Sequence, residues 1–217
     1  MIKHLPLVDF TDTTFLGIIP SDSLFTGEEL SDIMGITEGN LHNNNCGWLH
    51  FYVGKNATCN KTDKAYEIYV TKKAIRHRIS WNHINSKGGV EGKPVIANNG
   101  ITYTCRLLTG ADANPSTTTD GMGSEWNNLI YRVHSEIIKE DNGNNKRVGD
   151  NWVDMSDKEL GVNYYATTTG SFSWCQEHYN TAHRVGRGSY SVSHFNSGNP
   201  ASTYTIYGWR PVLARFL

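Results

Sequence analysis

Gly208-Trp209-Arg210-Pro211-Val212-Leu213 closes the last third of the chain, and its reading decides the fold. It is a short apolar run opened by glycine, and two segments of the same character stand upstream. These are Gly170-Ser171-Phe172-Ser173-Trp174-Cys175-Gln176-Glu177 and Arg184-Val185-Gly186-Arg187-Gly188-Ser189-Tyr190. Between the last of these and the closing run lies a polar stretch, residues 191–205, with no strong helix or strand pattern. Buried-looking segments on both sides of such a stretch describe a scaffold that holds a long surface loop at both ends. The closing run itself reads as a final strand.

The chain has 217 residues, 38% of them apolar and 19% charged, with a formal net charge of −1. That length buries a substantial core, as one large domain or one and a half ordinary ones. Near-neutral charge with six Trp and eleven Tyr speaks against disorder. It also speaks against a nucleic-acid partner, because phosphate binding needs a concentrated basic surface. The densest basic patch, Lys72, Lys73, Arg76 and Arg78, reads as a solvated face. No stretch approaches the ~20 apolar residues of a membrane span. Met1-Ile2-Lys3-His4 is not followed by the apolar run of a signal peptide. The expectation is a soluble product made in a cytoplasm, with no membrane insertion.

Residues 1–45 differ from the rest. Pro6-Leu7-Val8-Asp9-Phe10 and Phe15-Leu16-Gly17-Ile18-Ile19-Pro20 are short extended apolar pieces with little room for a core of their own. They read either as an arm that docks on a neighbour or on the main domain, or as an N-terminal strand of the same domain. Thr26 with Glu29 forms a capping-box signature for a brief helix. From Trp48 the β signal strengthens, in Trp48-Leu49-His50-Phe51-Tyr52-Val53 and Glu67-Ile68-Tyr69-Val70-Thr71. Ser80 opens a predicted short helix that ends at Lys87-Gly88-Gly89. Asn98-Asn99-Gly100 between apolar runs marks a hairpin. Trp126, Leu129, Ile130, Val133 and Ile137 share one face of a predicted helix that runs from about Ser124 to Asp141. Ser156 to Leu160 fits a second, short helix.

Catalytic chemistry has little to rest on. Four cysteines, at 46, 59, 105 and 175, match no metal spacing; Cys46 and Cys59 could pair if oxidised, Cys105 and Cys175 read as buried thiols, and burial without a role is the reading for all four. Nine histidines include no HxH or HExxH. Glu177-His178 sits on a segment expected to leave the core, and His134 is expected to cover or join it. Gly186-Arg187-Gly188-Ser189 lacks the phosphate-loop frame, so its glycines read as points of close backbone approach. The signal that stands out is compositional. Tyr190, His194, Phe195, Asn196, Asn199, Tyr204 and Tyr207, set among serines, have the composition that binding loops use. An ordinary surface loop or a subunit contact is the competing reading.

Five segments, in order, resemble the C-type-lectin-like fold as used by formylglycine-generating enzymes and phage variable proteins. They are Arg106-Leu107-Leu108-Thr109, Ser124-Glu125-Trp126, Gly170-Ser171-Phe172-Ser173-Trp174, Arg187-Gly188-Ser189-Tyr190 and Gly208-Trp209-Arg210. The resemblance implies an α+β fold of short strands, two main helices and long loops over residues 46–217, preceded by an extended arm at 1–45. It implies Trp126, Trp174, Trp209 and Arg210 as framework. The enzymes of that family hold copper with a cysteine pair near the last motif, and only Cys175 lies in that region here. Ser171 and Ser173 replace the calcium-associated Asn and Glu. The expectation is therefore no enzyme activity, no metal and no cofactor.

The same motifs, with Ile79-Ser80-Trp81-Asn82 and the Pro211-Val212-Leu213 ending, also look like small virion proteins of tailed bacteriophages. That resemblance implies a tail fibre, tip or capsid-attached protein located in the virion. Other virion proteins and further copies of itself are its expected partners, with a host-surface glycan or protein as ligand. A capsid decoration protein with no receptor role, and an enzyme related to the formylglycine-generating family, are the alternatives.

Overall fold

The computed structural model describes residues 13–134, 152–153, 155–162 and 169–217. Strand β1 (Thr13–Ile19) leads through a single 3-10 turn to helix α1 (Gly27–Met34). The Thr26 side chain accepts from the Glu29 amide while the Glu29 carboxylate accepts from the Thr26 amide, so the predicted capping box is formed. Strands β2 (Asn40–Leu41), β3 (Trp48–Val53), β4 (Tyr66–Thr71) and β5 (Arg76–His77) follow. Helix α2 (Trp81–Ser86) starts where Ser80 Oγ accepts from the His83 amide. Strands β6 (Lys93–Ile96) and β7 (Thr102–Arg106) form the hairpin expected at Asn98-Asn99-Gly100. Helix α3 (Asp157–Leu160), boxed by Ser156 and Glu159, precedes β8 (Phe172–His178) and β9 (Arg184–Arg187). Strands β10 (Phe195–Gly198), β11 (Tyr207–Trp209) and β12 (Val212–Phe216) complete the chain.

The strands form two six-stranded sheets, in the orders β1-β3-β4-β12-β7-β6 and β10-β9-β8-β11-β5-β2. The architecture is α+β, mostly strands with a few short helices. The closing run is not one final strand but two. Gly208 and Trp209 pair with β5 and β8 in the second sheet, and Val212 and Leu213 lie between β4 and β7 in the first. Arg210 and Pro211 make the crossing, where proline has no amide to continue a ladder. A six-residue motif therefore staples the sheets together.

Alternation along the strands sorts the core. Tyr69 and Leu213 join Trp174, Tyr207 and Trp209 of the second sheet in one cluster. Ile68, Val70 and Val212 join Trp126, Leu129 and Ile130 in another, so the first sheet is covered on both faces. The N-terminal segment contributes to the first cluster. Strand β1 pairs antiparallel with β3, and Leu24, Phe25, Leu30, Met34 and Ile36 pack with Trp81 and Trp174. The described part of residues 1–45 is thus packed into the core of its own chain. Residues 1–12, with the Pro6 to Phe10 piece, lie outside the described residues. Cys59, Cys105 and Cys175 are buried, Cys46 is half-buried, and all four are free thiols.

The helix predicted from Ser124 is shorter and wound differently. Trp126–Ile130 forms a π-helical turn and Tyr131–Val133 a 3-10 turn, after which His134 is extended at φ −81° and ψ 147°. The four apolar positions from Trp126 to Val133 are buried together as their spacing predicts. Side-chain amides account for the irregular winding. Asn127 donates to the Asp120 carbonyl, and Asn128 to the carbonyls of Met122 and Ser124, so local side-chain bonds compete with regular helix pairing. His134 is buried as expected, with Nε2 2.7 Å from Asp157 Oδ1. Ile137 and the predicted helix end at Asp141 lie outside the described residues.

This turn is anchored by a buried ion pair. Glu125 accepts from both Arg106 terminal nitrogens at 2.5 and 2.7 Å, from the Thr109 amide at 3.0 Å and from Tyr66 Oη at 2.8 Å. Burial alone would raise the Glu125 pKa, but the Arg106 charge and these donors outweigh it and hold the group below its ordinary value. Removing one partner of such a pair leaves the other charge buried without compensation. Glu125→Ala is therefore expected to lower unfolding free energy by about 3–5 kcal/mol, read from urea denaturation.

Candidate functional site

The polar stretch at residues 191–205 contains a strand that its pattern does not announce. Phe195 to Gly198 pair antiparallel with Arg187 to Arg184, making β10 the edge of the second sheet. Its sequence lacks apolar alternation because it is an edge strand whose polar residues face water. Gly198 is required by contact, since a Cβ there would stand 2.7 Å from Tyr207 Oη and 2.8 Å from the Trp174 ring.

Three bonds pin the turn between β9 and β10. Trp126 Nε1 donates to the Val192 carbonyl at 2.7 Å, Arg187 Nη2 to the Ser193 carbonyl at 3.3 Å, and the Gly188 amide to the His194 carbonyl at 3.1 Å. Val192 inserts into the cluster around Trp126. Arg187 is the hub. Its guanidinium also donates to the Gly110 carbonyl at 2.9 Å and to Asn127 Oδ1 at 2.6 Å. The group lies 5.4 Å from the Phe195 ring centroid and 5.9 Å from that of Trp126. Burial pushes the Arg187 pKa down to about 10, which leaves it cationic at neutral pH. Gly121 leaves room for it, since a Cβ there would stand 2.5 Å from Arg187 Nη1, and the flanking glycines fit the neighbouring rings. A Cβ on Gly186 would stand 2.0 Å from the Phe172 ring, and Gly188 adopts φ 89° against Trp126.

The residues singled out from composition divide into two groups with β10 between them. At one end, exposed Tyr190 meets the half-buried His194 ring edge-on at 4.8 Å. Phe195 is half-buried against Tyr179 at 6.3 Å. Burial, with the Arg187 charge, pushes the His194 pKa down. On the strand, exposed Asn196 folds its Oδ1 back to accept from the Ser197 amide at 2.8 Å. At the other end, exposed Asn199 opens an Asn-Pro turn, its Oδ1 accepting from the Ala201 amide and its carbonyl from the Ser202 amide. Tyr204 is 70% exposed. Tyr207 is framework rather than surface. It is 8% exposed and stacks on Trp174 at 4.3 Å, while Tyr204 covers its outer side at 6.0 Å.

Trp126, Trp174, Trp209 and Arg210 are all buried, and Arg210 donates to the Leu160 carbonyl. Glu177 does not leave the core, whereas His178, next to it, is half-buried where the chain turns outward to exposed Asn180. Both Glu177 and His178 belong to β8, and Glu177 is buried with Oε2 accepting from the Gly110 amide at 2.9 Å. The sequence reading missed this carboxyl because its burial follows from the central position of β8 in the sheet. Its one visible signal is the strong apolar character of Phe172 to Cys175 immediately before it. Among the described residues, no group of three His, Cys, Asp or Glu is placed to hold a metal ion. Two hollows of about 600 and 370 Å³ share Asn45, Cys46 and Lys72 in their walls, and no residue of the 191–205 stretch lines either. No helix among the described residues is long and apolar enough to cross a membrane.

Comparison with protein-family models, with curated proteins and with solved structures gives no match. The functional reading therefore rests on the residues themselves.

Burial raises the Glu177 pKa from 4.5 to about 7, and the neighbouring Glu125 charge pushes in the same direction. The folded state then holds this proton more tightly than the unfolded chain. The Glu177 contribution is neutral below about pH 4.5 and becomes unfavourable as pH rises through about 7, by up to ~3 kcal/mol. The stability difference between the native chain and Glu177→Gln should grow over that interval and level off above it, as measured by denaturation at several pH values.

Proposed function

We propose that this chain is a structural protein of a tailed-bacteriophage virion, and that a C-type-lectin-like domain in it displays the surface around Tyr190, Asn196 and Tyr204. The observation that carries this reading is the pinning of a polar, aromatic turn by Trp126, Arg187 and Gly188. A surface loop without function has no need of a buried guanidinium and an indole beneath it. A recognition loop gains from both, because little conformational freedom remains to be lost on binding.

The way the five motif segments meet supports the lectin-like reading. Arg106 and Thr109 of the first clasp Glu125 of the second, and Trp126 lies 5.9 Å from Arg187 of the fourth and 5.3 Å from Arg210 of the last. Gly208 of the last lies so close to Gly170 of the third that a Cβ would stand 2.6 Å from its carbonyl oxygen. Residues that share only their order in the sequence thus share one interior. Partners on this reading are other virion proteins and further copies of the chain, with a host-surface glycan or protein as the ligand of the display face. No catalytic step forms part of the proposal, and Cys175 offers none. Burial, reinforced by Glu177, raises its thiol pKa well above the ordinary value and disfavours the reactive thiolate.

Tyr190 and Asn196 are exposed and replaceable without opening the core. Particles of the encoding phage should carry the chain when probed with gold-labelled antibody. Particles with Tyr190→Ala and Asn196→Ala should assemble at normal yield and adsorb to host cells about tenfold less. Failure of assembly would assign the face to a subunit contact, as in a decoration protein. Absence of the chain from particles, or normal assembly with normal adsorption, would overturn the proposal.

A further inference from the structure

We infer that Tyr204 and Arg78 together form a binding site for an acidic saccharide, an inference that rests on the display reading above and names its ligand class. Tyr204 is the outermost of three stacked rings. Buried Trp174 carries Tyr207 at 4.3 Å and 10°, and Tyr207 carries Tyr204 at 6.0 Å and 28°. The Tyr207 amide also donates to the Tyr204 carbonyl at 3.0 Å, closing the turn that holds the outer ring. A large ring is thus 70% exposed yet supported from below. An aromatic group in that state offers amphipathic contact area at low entropic cost.

Arg78 supplies the charge. Its Nε donates to Oγ1 of Thr205, the residue after Tyr204, at 3.2 Å. Its two terminal nitrogens have no acceptor among the described residues, and it makes no ion pair there. Arg78 also has φ 56°, and no other described non-glycine residue has a positive φ. Glycine would fill that position without strain, so an arginine held there is a departure from the conformationally cheapest choice. The guanidinium is permanently charged and geometrically suited to a carboxylate or another planar anion.

The surroundings distinguish a saccharide from a peptide. Asn199, Ser202 and Thr203 stand among the five residues before Tyr204, so the segment that carries the ring is rich in amide and hydroxyl groups and suits a ligand rich in hydroxyls. A sugar ring lays its C–H face on Tyr204, and its acidic substituent reaches Arg78. An extended peptide would instead pair with the edge of β10. That edge is blunted, because the Ser197 amide is already taken by the Asn196 side chain.

Isothermal titration of the full chain with tetragalacturonic acid, maltotetraose and a glutamate-rich decapeptide tests the site. Tetragalacturonic acid should bind, and more weakly as salt is raised; maltotetraose of the same length should bind at least about tenfold less well. Tyr204→Ala and Arg78→Gly should each weaken binding about tenfold or more. Thermal unfolding should show an unchanged midpoint for Tyr204→Ala and one not lowered for Arg78→Gly, because glycine accepts the positive φ. Absence of tetragalacturonic acid binding, equal binding of the neutral sugar, binding of the peptide alone, or affinity unaffected by both substitutions would overturn the inference. Those results would leave the virion reading standing, since particle labelling and the Tyr190/Asn196 adsorption test do not involve either residue.

Discussion

Four hydrogen bonds converge on the Glu125 carboxylate, two from Arg106, one from the Thr109 amide and one from Tyr66 Oη. They bring together strands β4 and β7, the loop after β7 and the irregular turn that begins at Glu125. A carboxylate taken out of water is expensive, and only a full set of donors offsets that cost. The position of the turn is consequently set by electrostatics, and the packing follows. Once Glu125 is held, Trp126 enters the core, its indole N–H reaches Val192, and the turn between β9 and β10 acquires a fixed point.

Around Trp126 the interior carries more positive charge than its carboxylates balance. Arg187 and Arg210 are both buried, and neither forms an ion pair among the described residues. Backbone carbonyls, an asparagine oxygen and the Trp126 ring take the place of carboxylates. Burial lowers both pKa values to about 10, still well above neutrality. Carbonyl acceptors have a consequence that a carboxylate partner would not. Each carbonyl belongs to a particular loop, so the charge of Arg187 fastens residue 110 and residue 193 to the same point. The arginine organises backbone, and the surface above it inherits that order.

The surface between Tyr190 and Tyr207 is therefore held by contacts that lie beneath it. Trp174, Tyr207 and Tyr204 form one stack from core to solvent, and the Asn-Pro turn that precedes Tyr204 is tied to α2 through the bond from the Asn82 amide to the Pro200 carbonyl. Rings and amides presented from such a base lose little freedom when they meet a partner.

Much of this was legible in the chain itself. The caps at Thr26 and Ser80, the hairpin at Asn98-Asn99-Gly100 and the strands from Trp48 and Glu67 follow from local chemistry, and Trp126, Trp174, Trp209 and Arg210, expected as framework, are buried. Caps and turns involve residues a few positions apart, and these tryptophans have large apolar rings that favour burial, whereas tyrosine was not sorted this way: Tyr204 is exposed and Tyr207 is buried. The irregular winding after Ser124 was not legible, because side-chain amide bonds to Asp120 and Met122 outweigh apolar spacing there. Nor was β10, an edge strand with polar residues, nor the buried Glu177, whose environment is made by its neighbours in the sheet. Tyr204 was visible from composition, but Arg78 was not, since it lies 127 positions before Thr205, the residue it bonds. The closing Gly208 to Leu213 run shows both sides of this division. Its apolar, glycine-opened character determined that it would be buried strand. Only the tertiary structure divided it between two sheets at Arg210-Pro211, because strand pairing depends on partners far away in sequence, which no local pattern specifies.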